Sequence, residues 1–419
     1  MPQSSDLIEI IKSGIDAVRP AAILPRLLQS LDYPELAEWL ASPSRSLLCI
    51  GKAAVDCAKA VLSYVDCDQS FILATVGTES QGLSDVWHGS HPIPDEHSIQ
   101  STEKLLQWIK SLPTESFLLV ALSGGSSALL VSPASGLSFE SKRAVNELLI
   151  RSGANIQEMN AVRKHLSKVK GGRLAASLGQ RRSVVLVISD VIGDDLTTIG
   201  SGPFYPDQTT FLEAKQCLER YGIWEETPVD ARQILQRGVE GKIAETPKEI
   251  VPAIPHYVVA SNSVACQRSG ARAAELGYRV DLDFHPVSGF VEDVAELLAR
   301  RIIQLPPHTA LIMGGEITVR VRGSGTGGRN QHLALLITEL IARHDVLFGS
   351  VGTDGVDGNS PAAGAWTDGK TLQRAVQSGI SYYEKVKAFD SYYFFESLGQ
   401  SIKTGPTGTN VMDLYIALK

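Results

Sequence analysis

The chain has 419 residues, 43% hydrophobic and 20% charged, with 37 glycines, only 6% aromatic residues and a formal net charge of −7. This length exceeds one ordinary core and predicts two domains, and a Gly-rich, aromatic-poor composition suits an α/β enzyme with many tight βα turns. The acidic balance and the lack of a long basic run exclude a chain-wide field for nucleic acid or an anionic membrane, so a phosphate ligand must be held by a local site.

The N-terminal stretch MPQSSDLIEIIKSGIDAV mixes acidic residues into an amphipathic pattern and predicts a first helix rather than a signal peptide. No apolar run approaches the ~18–20 residues needed to span a bilayer. Five cysteines (Cys49, Cys57, Cys67, Cys217 and Cys266) are odd in number and form no C-x-x-C pair. They read as small apolar residues or idle thiols in a reducing compartment, so a soluble cytoplasmic protein is expected.

Apolar runs at 47–50, 71–76, 117–122, 184–188, 257–260, 311–313 and 346–351 alternate with helical spacing, as at 53–64 and 98–109. This alternation predicts βαβ units and mostly parallel sheet. The segment 317–322, ITVRVR, alternates apolar and charged residues and predicts a strand with one wet face. A last strand-like run, 411–418, lies beside the C-terminus, so a mixed sheet is expected in the second half. A Pro-rich stretch at 203–255 marks the junction, giving domains 1–240 and 241–419.

Several strand ends carry chemistry. Lys52 follows Gly51 where a buried run ends and a helix begins, at the sheet edge where open α/β folds bind ligands. Next comes Ser123-Gly124-Gly125-Ser126-Ser127. Its glycines permit close backbone approach and its hydroxyls are donors, which outlines a phosphate or carboxylate cradle without the Lys-Ser/Thr ending of a Walker loop. The stretch 159–173 is densely basic. Arg163 with Ser167, and Lys164 with Lys168, are spaced i, i+4 and predict two lined helix faces that end at Gly171-Gly172; Asn160 and Lys164 are candidate anion ligands. Asp190 closes the next run and is a candidate Mg²⁺ ligand or base. His88, His91 and His97 cluster without a helix to fix them as metal ligands.

In the second half, Gly315 and Glu316 form a Gly turn with a carboxylate. The run Gly323-Ser-Gly325-Thr-Gly-Gly328 matches the G-x-G-x-x-G dinucleotide fingerprint, with Asp354 after the next strand, so a dehydrogenase must be weighed. Against it, Arg320 and Arg322 interrupt the preceding run, and Arg329 aims a planar guanidinium from the helix start, which suits a carboxylate or a transferring phosphoryl group. The polar, constrained tail 404–410 is expected to pack back near the site.

These segments, GKAA at 51, HPIPDEHS at 91, LSGGSSALL at 122, MNAVRKHLSKVKGGRLA at 159, SDVIGDDLTTIGSGPFYPD at 189, GGE at 314, GTGGRNQ at 325, GTDGVDG at 352 and TGPTGTNV at 404, together resemble the class II glycerate 2-kinases, whose C-terminal part is the MOFRL region. The resemblance covers nearly the whole chain. It implies two three-layer α/β/α domains, the first with a mostly parallel Rossmann-like sheet and the second, holding MOFRL at about 308–415, with a mixed one. It further implies an active site in an inter-domain cleft, ATP and Mg²⁺ as cofactors, and transfer to the C2 hydroxyl of glycerate, taken as the D form. It marks Lys52 and Arg329 as active-site residues, in a monomer or homodimer with no nucleic-acid or membrane partner. The rival readings are an NAD(P)-dependent hydroxypyruvate reductase, a label some family members once carried, and a non-catalytic sensor of small acids.

Overall fold

A computed structural model describes residues 2–419 and divides into two compact units. One is Leu24–Val259. The other joins the N-terminal residues up to Ile23 to Ala260–Lys419. The boundary expected at 240 thus falls at 259/260, and the second unit is not continuous in sequence.

In the first unit, strands β1 (Arg45–Ile50), β2 (Gln69–Thr75), β3 (Val86–Gly89), β4 (Phe117–Ser123), β5 (Ser183–Ile188) and β6 (His256–Ala260) form a sheet in the order β3-β2-β1-β4-β5-β6. The pairs among β1–β5 are parallel. Leu47, Leu48, Cys49 and Ile50 are all buried, so both faces of β1 are covered. This explains why a parallel strand reads as a continuous apolar run rather than an alternating one. One face packs Leu48, Leu73, Val120 and Val187 against Leu105 and Ile109 of the helix Glu96–Ser111. A separate cluster around Phe211, Leu218 and Leu235 gathers the helices Phe139–Ser152, Ile156–His165, Phe211–Arg220 and Val229–Val239. This strand order reverses between β1 and β4, which makes a crevice at their carboxyl ends the default ligand site of such a sheet.

The second unit holds β7 (Arg279–Phe290), β8 (Thr309–Thr318), β9 (Leu347–Gly352), β10 (Gly364–Asp368), β11 (Ser401–Ile402) and β12 (Asp413–Leu418), in the order β11-β10-β9-β12-β8-β7. Only β7 and β8 pair in parallel; β12 lies antiparallel between β8 and β9. The mixed sheet expected for this half is borne out. One face packs Met313, Phe348 and Tyr415 against the helices Val291–Ile303 and Arg329–Leu340. On the other, Leu7 and Ile11 of the first helix, Ser4–Ala17, cover Gly349, and its Gly14 approaches Leu414. The first helix was expected correctly, but its packing partner lies at the far end of the chain.

Four strands went unread. β3, β10 and β11 are short, and β7 is broken by a register shift between Asp283 and Val287. The strand expected at 317–322 ends instead at Thr318.

Candidate active site

The carboxyl ends of β1 and β4 are tied together by backbone and serine. Lys52 N–H donates to Gly124 O (2.8 Å), and Ala53 N–H donates to Ser123 Oγ (3.1 Å). Ser123 Oγ in turn donates to Ile50 O (3.2 Å). Gly51 has φ +120°, and a Cβ there would strike Ser123 and Gly124, so only glycine lets the two strand ends close up. Lys52, partly buried, and the serine loop are therefore brought together as expected.

The serine hydroxyls behave differently from the expectation. Ser123 is spent on the strand ends, and Ser126 is fully buried with Oγ unpaired. Ser127 Oγ accepts from Lys170 Nζ (2.9 Å) and shares a hydrogen bond with Ser201 Oγ (2.9 Å), which donates to Asn160 Oδ1 (3.3 Å). The Ser123 and Ser127 hydroxyls hold the loop, so what the loop can offer a ligand is chiefly its backbone. The amides of Gly125, Ser126 and Ser127 find no protein acceptor among the described residues.

Asp190 follows β5, and its carboxylate lies so close to Gly124 that a Cβ there would overlap it. Burial raises the Asp190 pKa above the ordinary carboxylate range, while the Lys52 charge and a backbone hydrogen bond pull against that rise. Sequence reasoning missed one neighbour. Exposed His91 lays its ring edge by Gly125, where the surrounding protein and the Lys52 charge lower its pKa to about 4 and keep the imidazole neutral. His88 and His97 are engaged elsewhere, with Thr78 O and Asp95. Among the described residues no group of three or more His, Cys, Asp or Glu side chains is placed to hold a metal.

The basic stretch is corrected. Its helix, Ile156–His165, stops before Ser167 and Lys168, so the i, i+4 pairs do not line helix faces. Gly171 and Gly172 precede the short helix Arg173–Ser177 instead of ending the first. The stretch is divided: Lys168 is exposed and lines a cavity with Arg173, whereas Lys164 and Lys170 turn into the protein. Lys164 is buried in a 3.2 Å ion pair with buried Asp207. Asn160 is 3% exposed and helps hold Ser201.

In the second unit, Arg329 opens the helix Arg329–Leu340 beside the edge where β8 ends and β12 begins. Asp413, fully buried at the first position of β12, takes a two-pronged pair from its Nε (2.6 Å) and Nη2 (2.9 Å), while Nη1 meets Glu316 at 2.8 Å. Tyr415 OH also donates to Asp413 (3.1 Å). Burial opposes the Arg329 charge, but these carboxylates outweigh it and raise the pKa further. The fork is thus oriented by two acidic groups and stays about a third exposed, at 31%. Asp413 was missed because it sits inside an apolar C-terminal strand.

The glycine fingerprint is not a dinucleotide loop. Asp357 caps the helix start, accepting from Asn330 N (3.0 Å), Gln331 N (2.8 Å) and Gln331 Nε2 (2.9 Å). A buried carboxylate therefore occupies the amides that a pyrophosphate would need. The loop amides are engaged too: Thr326 N with Asp390 (3.0 Å) and Gly327 N with Asn359 (2.8 Å). A Cβ on Gly327 would strike Ser391, and one on Gly328 would strike Asp357. The glycines serve close packing within the protein. Gly315 likewise abuts the Val287 backbone. The tail 404–410 folds back onto the loop after β9, where Thr407 N donates to Asp354 O (3.2 Å) and Thr407 Oγ1 to Thr353 O (2.6 Å).

Residues 6–236 match the family model described as a domain of unknown function, DUF4147, and residues 309–413 match the MOFRL family. The chain is 37% identical over 382 residues to the glycerate 2-kinase of Pyrococcus horikoshii, covering 89% of this chain and 86% of that one. It is 36% identical to the D-glycerate 2-kinase of Thermotoga maritima, covering 98% and 97%. A putative hydroxypyruvate reductase of Agrobacterium vitis is also 36% identical, covering 87% and 84%. The crystal structure of Thermotoga maritima glycerate kinase matches with a TM-score of 0.87 at 34% identity over the full length of both chains. The chain belongs to the glycerate kinase family built from DUF4147 and MOFRL regions.

Proposed function

We propose that the chain transfers the γ-phosphoryl group of ATP to the C2 hydroxyl of glycerate, giving 2-phosphoglycerate and ADP. The observation that carries this reading is the group at the β1/β4 crevice: Lys52, the Ser123–Ser127 backbone and Asp190 in mutual proximity at the ligand edge of a doubly wound sheet. The names of the relatives support the same chemistry.

Phosphoryl transfer needs mainly positioning and charge neutralisation. Lys52 supplies a point charge for the transferring phosphate or the substrate. Asp190, with its raised pKa, is matched to accept the hydroxyl proton. Neutral His91 can donate a hydrogen bond without adding charge. Arg329, held as a fixed fork, is assigned the glycerate carboxylate or the charge developing on the phosphoryl oxygens. In the alternative to its base role, Asp190 would be the one carboxylate holding a Mg²⁺ ion beside phosphate oxygens and water, an ion that would neutralise phosphate charge. Asn160 supports the serine loop through Ser201 while its Nδ2 is left without a partner, and Lys164 is taken up by Asp207. Five free thiols fit a cytoplasmic setting, and no helix among the described residues is long and apolar enough to cross a membrane.

The test is to incubate the purified chain with D-glycerate, ATP and Mg²⁺ and to identify products by phosphorus NMR, with hydroxypyruvate and NADH in parallel. A 2-phosphoglycerate resonance without NADH oxidation is the expected result. NADH oxidation without phosphoryl transfer would overturn the reading.

A further inference from the structure

We infer that the cavity beside the Gly323–Gly328 loop, wholly within the second unit, receives the adenosine portion of the phosphate donor; this rests on the kinase reading above. The cavity measures about 530 Å³. It falls in the ~300–1,000 Å³ range of small-molecule sites, far larger than a three-carbon acid requires. Val319, Val321, Val356 and Phe389 give it apolar walls, and the Phe389 ring stacks on His332 at 4.5 Å and 11° to make a flat aromatic floor. A planar base seeks such surfaces.

Two polar atoms complete the case. Ser391 and His332 line the cavity at 1% and 4% exposure, and Ser391 Oγ and His332 Nδ1 have no hydrogen-bond partner. Buried polar atoms are seldom left unpaired, and a side-chain rotation that turned each into the cavity would let a heterocycle with donors and acceptors on its edge satisfy both. Burial holds His332 neutral, with its pKa lowered to about 4, so the imidazole can offer one donor and one acceptor.

The charges choose which part of a nucleotide enters. Asp354 and Asp357 line the same cavity, and Arg329 is its one cationic lining residue. The helix and loop amides that could cradle phosphate are held by Asp357, Asp390 and Asn359. An uncharged base and sugar fit this interior, with the phosphates leaving past Arg329. Neither the glycine fingerprint nor a phosphate-binding loop would predict that arrangement.

The test is calorimetric titration of the full chain with adenosine, ADP and inorganic tripolyphosphate. Val356→Trp brings bulk into the cavity from a position that is 46% exposed, and Ser391→Ala removes one donor with little change of volume. Adenosine and ADP should bind Val356→Trp at least about tenfold more weakly, and Ser391→Ala a few-fold more weakly, while tripolyphosphate binding changes little in either. Should Val356→Trp fail to fold by circular dichroism, Ser391→Ala decides alone. Unchanged adenosine and ADP affinity in the folded variants, or no binding of either by the unaltered chain, would overturn the inference. If glycerate is phosphorylated while nucleotide binding ignores both substitutions, only this location fails. If ADP binding follows the substitutions but glycerate is never phosphorylated, the kinase reading fails and the nucleotide site stands.

Discussion

At the scale of single residues, the second unit presents one cation whose direction is fixed. Arg329 makes two parallel bonds to Asp413 and a third contact to Glu316, so the guanidinium plane is set before any ligand arrives. A lysine keeps the charge but cannot form the fork. Arg329→Lys should therefore lower kcat/KM by roughly 10²–10³ while the fold persists, measured by a coupled ADP assay with circular dichroism as control. Asp190 makes the second test. Its pKa lies above the ordinary carboxylate value because of burial, and the proposed base must be ionised. Activity should fall as the pH drops through that raised pKa, giving an acid limb above the range of a free aspartate. Asp190→Asn should remove the limb and slow turnover by about 10²–10⁴. Lys142 tests stability alone. It is 4% exposed and donates to Leu166 O (2.9 Å), and burial with the nearby Arg163 charge lowers its pKa to about 7. Between that value and the 10.5 of a free lysine the unfolded chain binds more protons than the folded one, so stability gains as pH rises through this window. Lys142→Met should flatten that gain, read as the difference in urea midpoint between pH 7 and pH 10.

At the scale of elements, parallel strands were legible and capped loops were not. The runs 47–50, 117–122 and 184–188 are apolar because both faces of that sheet are covered, and each became a strand within a residue or two. The Gly323–Gly328 loop misleads because glycine is required wherever backbones crowd, and here they crowd against 388–391 and Asp357 rather than a pyrophosphate. Asp357, which lies 26 residues from Gln331 in sequence, does the work a ligand would do in a dinucleotide fold. Asp357→Ala should uncap the helix Arg329–Leu340 and cost about 1–2 kcal/mol in urea unfolding. The basic stretch 159–173 shows the converse. Periodicity promised a lined helix, but the chain turned at Leu166 and buried Lys164 and Lys170, because Asp207 and the Ser127 loop supply partners that no local pattern reveals.

At the scale of the whole molecule, the two ends of the chain are structural parts of one unit. Strand β12 lies between β8 and β9, and the first helix covers the same sheet. Deleting 411–419 removes a central strand together with Asp413, so the truncated chain should be recovered as insoluble or molten protein, judged by solubility and near-ultraviolet circular dichroism. The sequence by itself determined two α/β sheets, one mostly parallel and one mixed, and placed Lys52 and the serine loop at strand ends and Arg329 at a helix start, because burial on both faces and glycine at turns leave local marks. It could not reveal that Asp413 orients Arg329, that His91 joins Lys52, or that Asp357 occupies the helix start. Those pairings join residues tens of positions apart, and only the tertiary fold decides which distant carboxylate satisfies which buried donor.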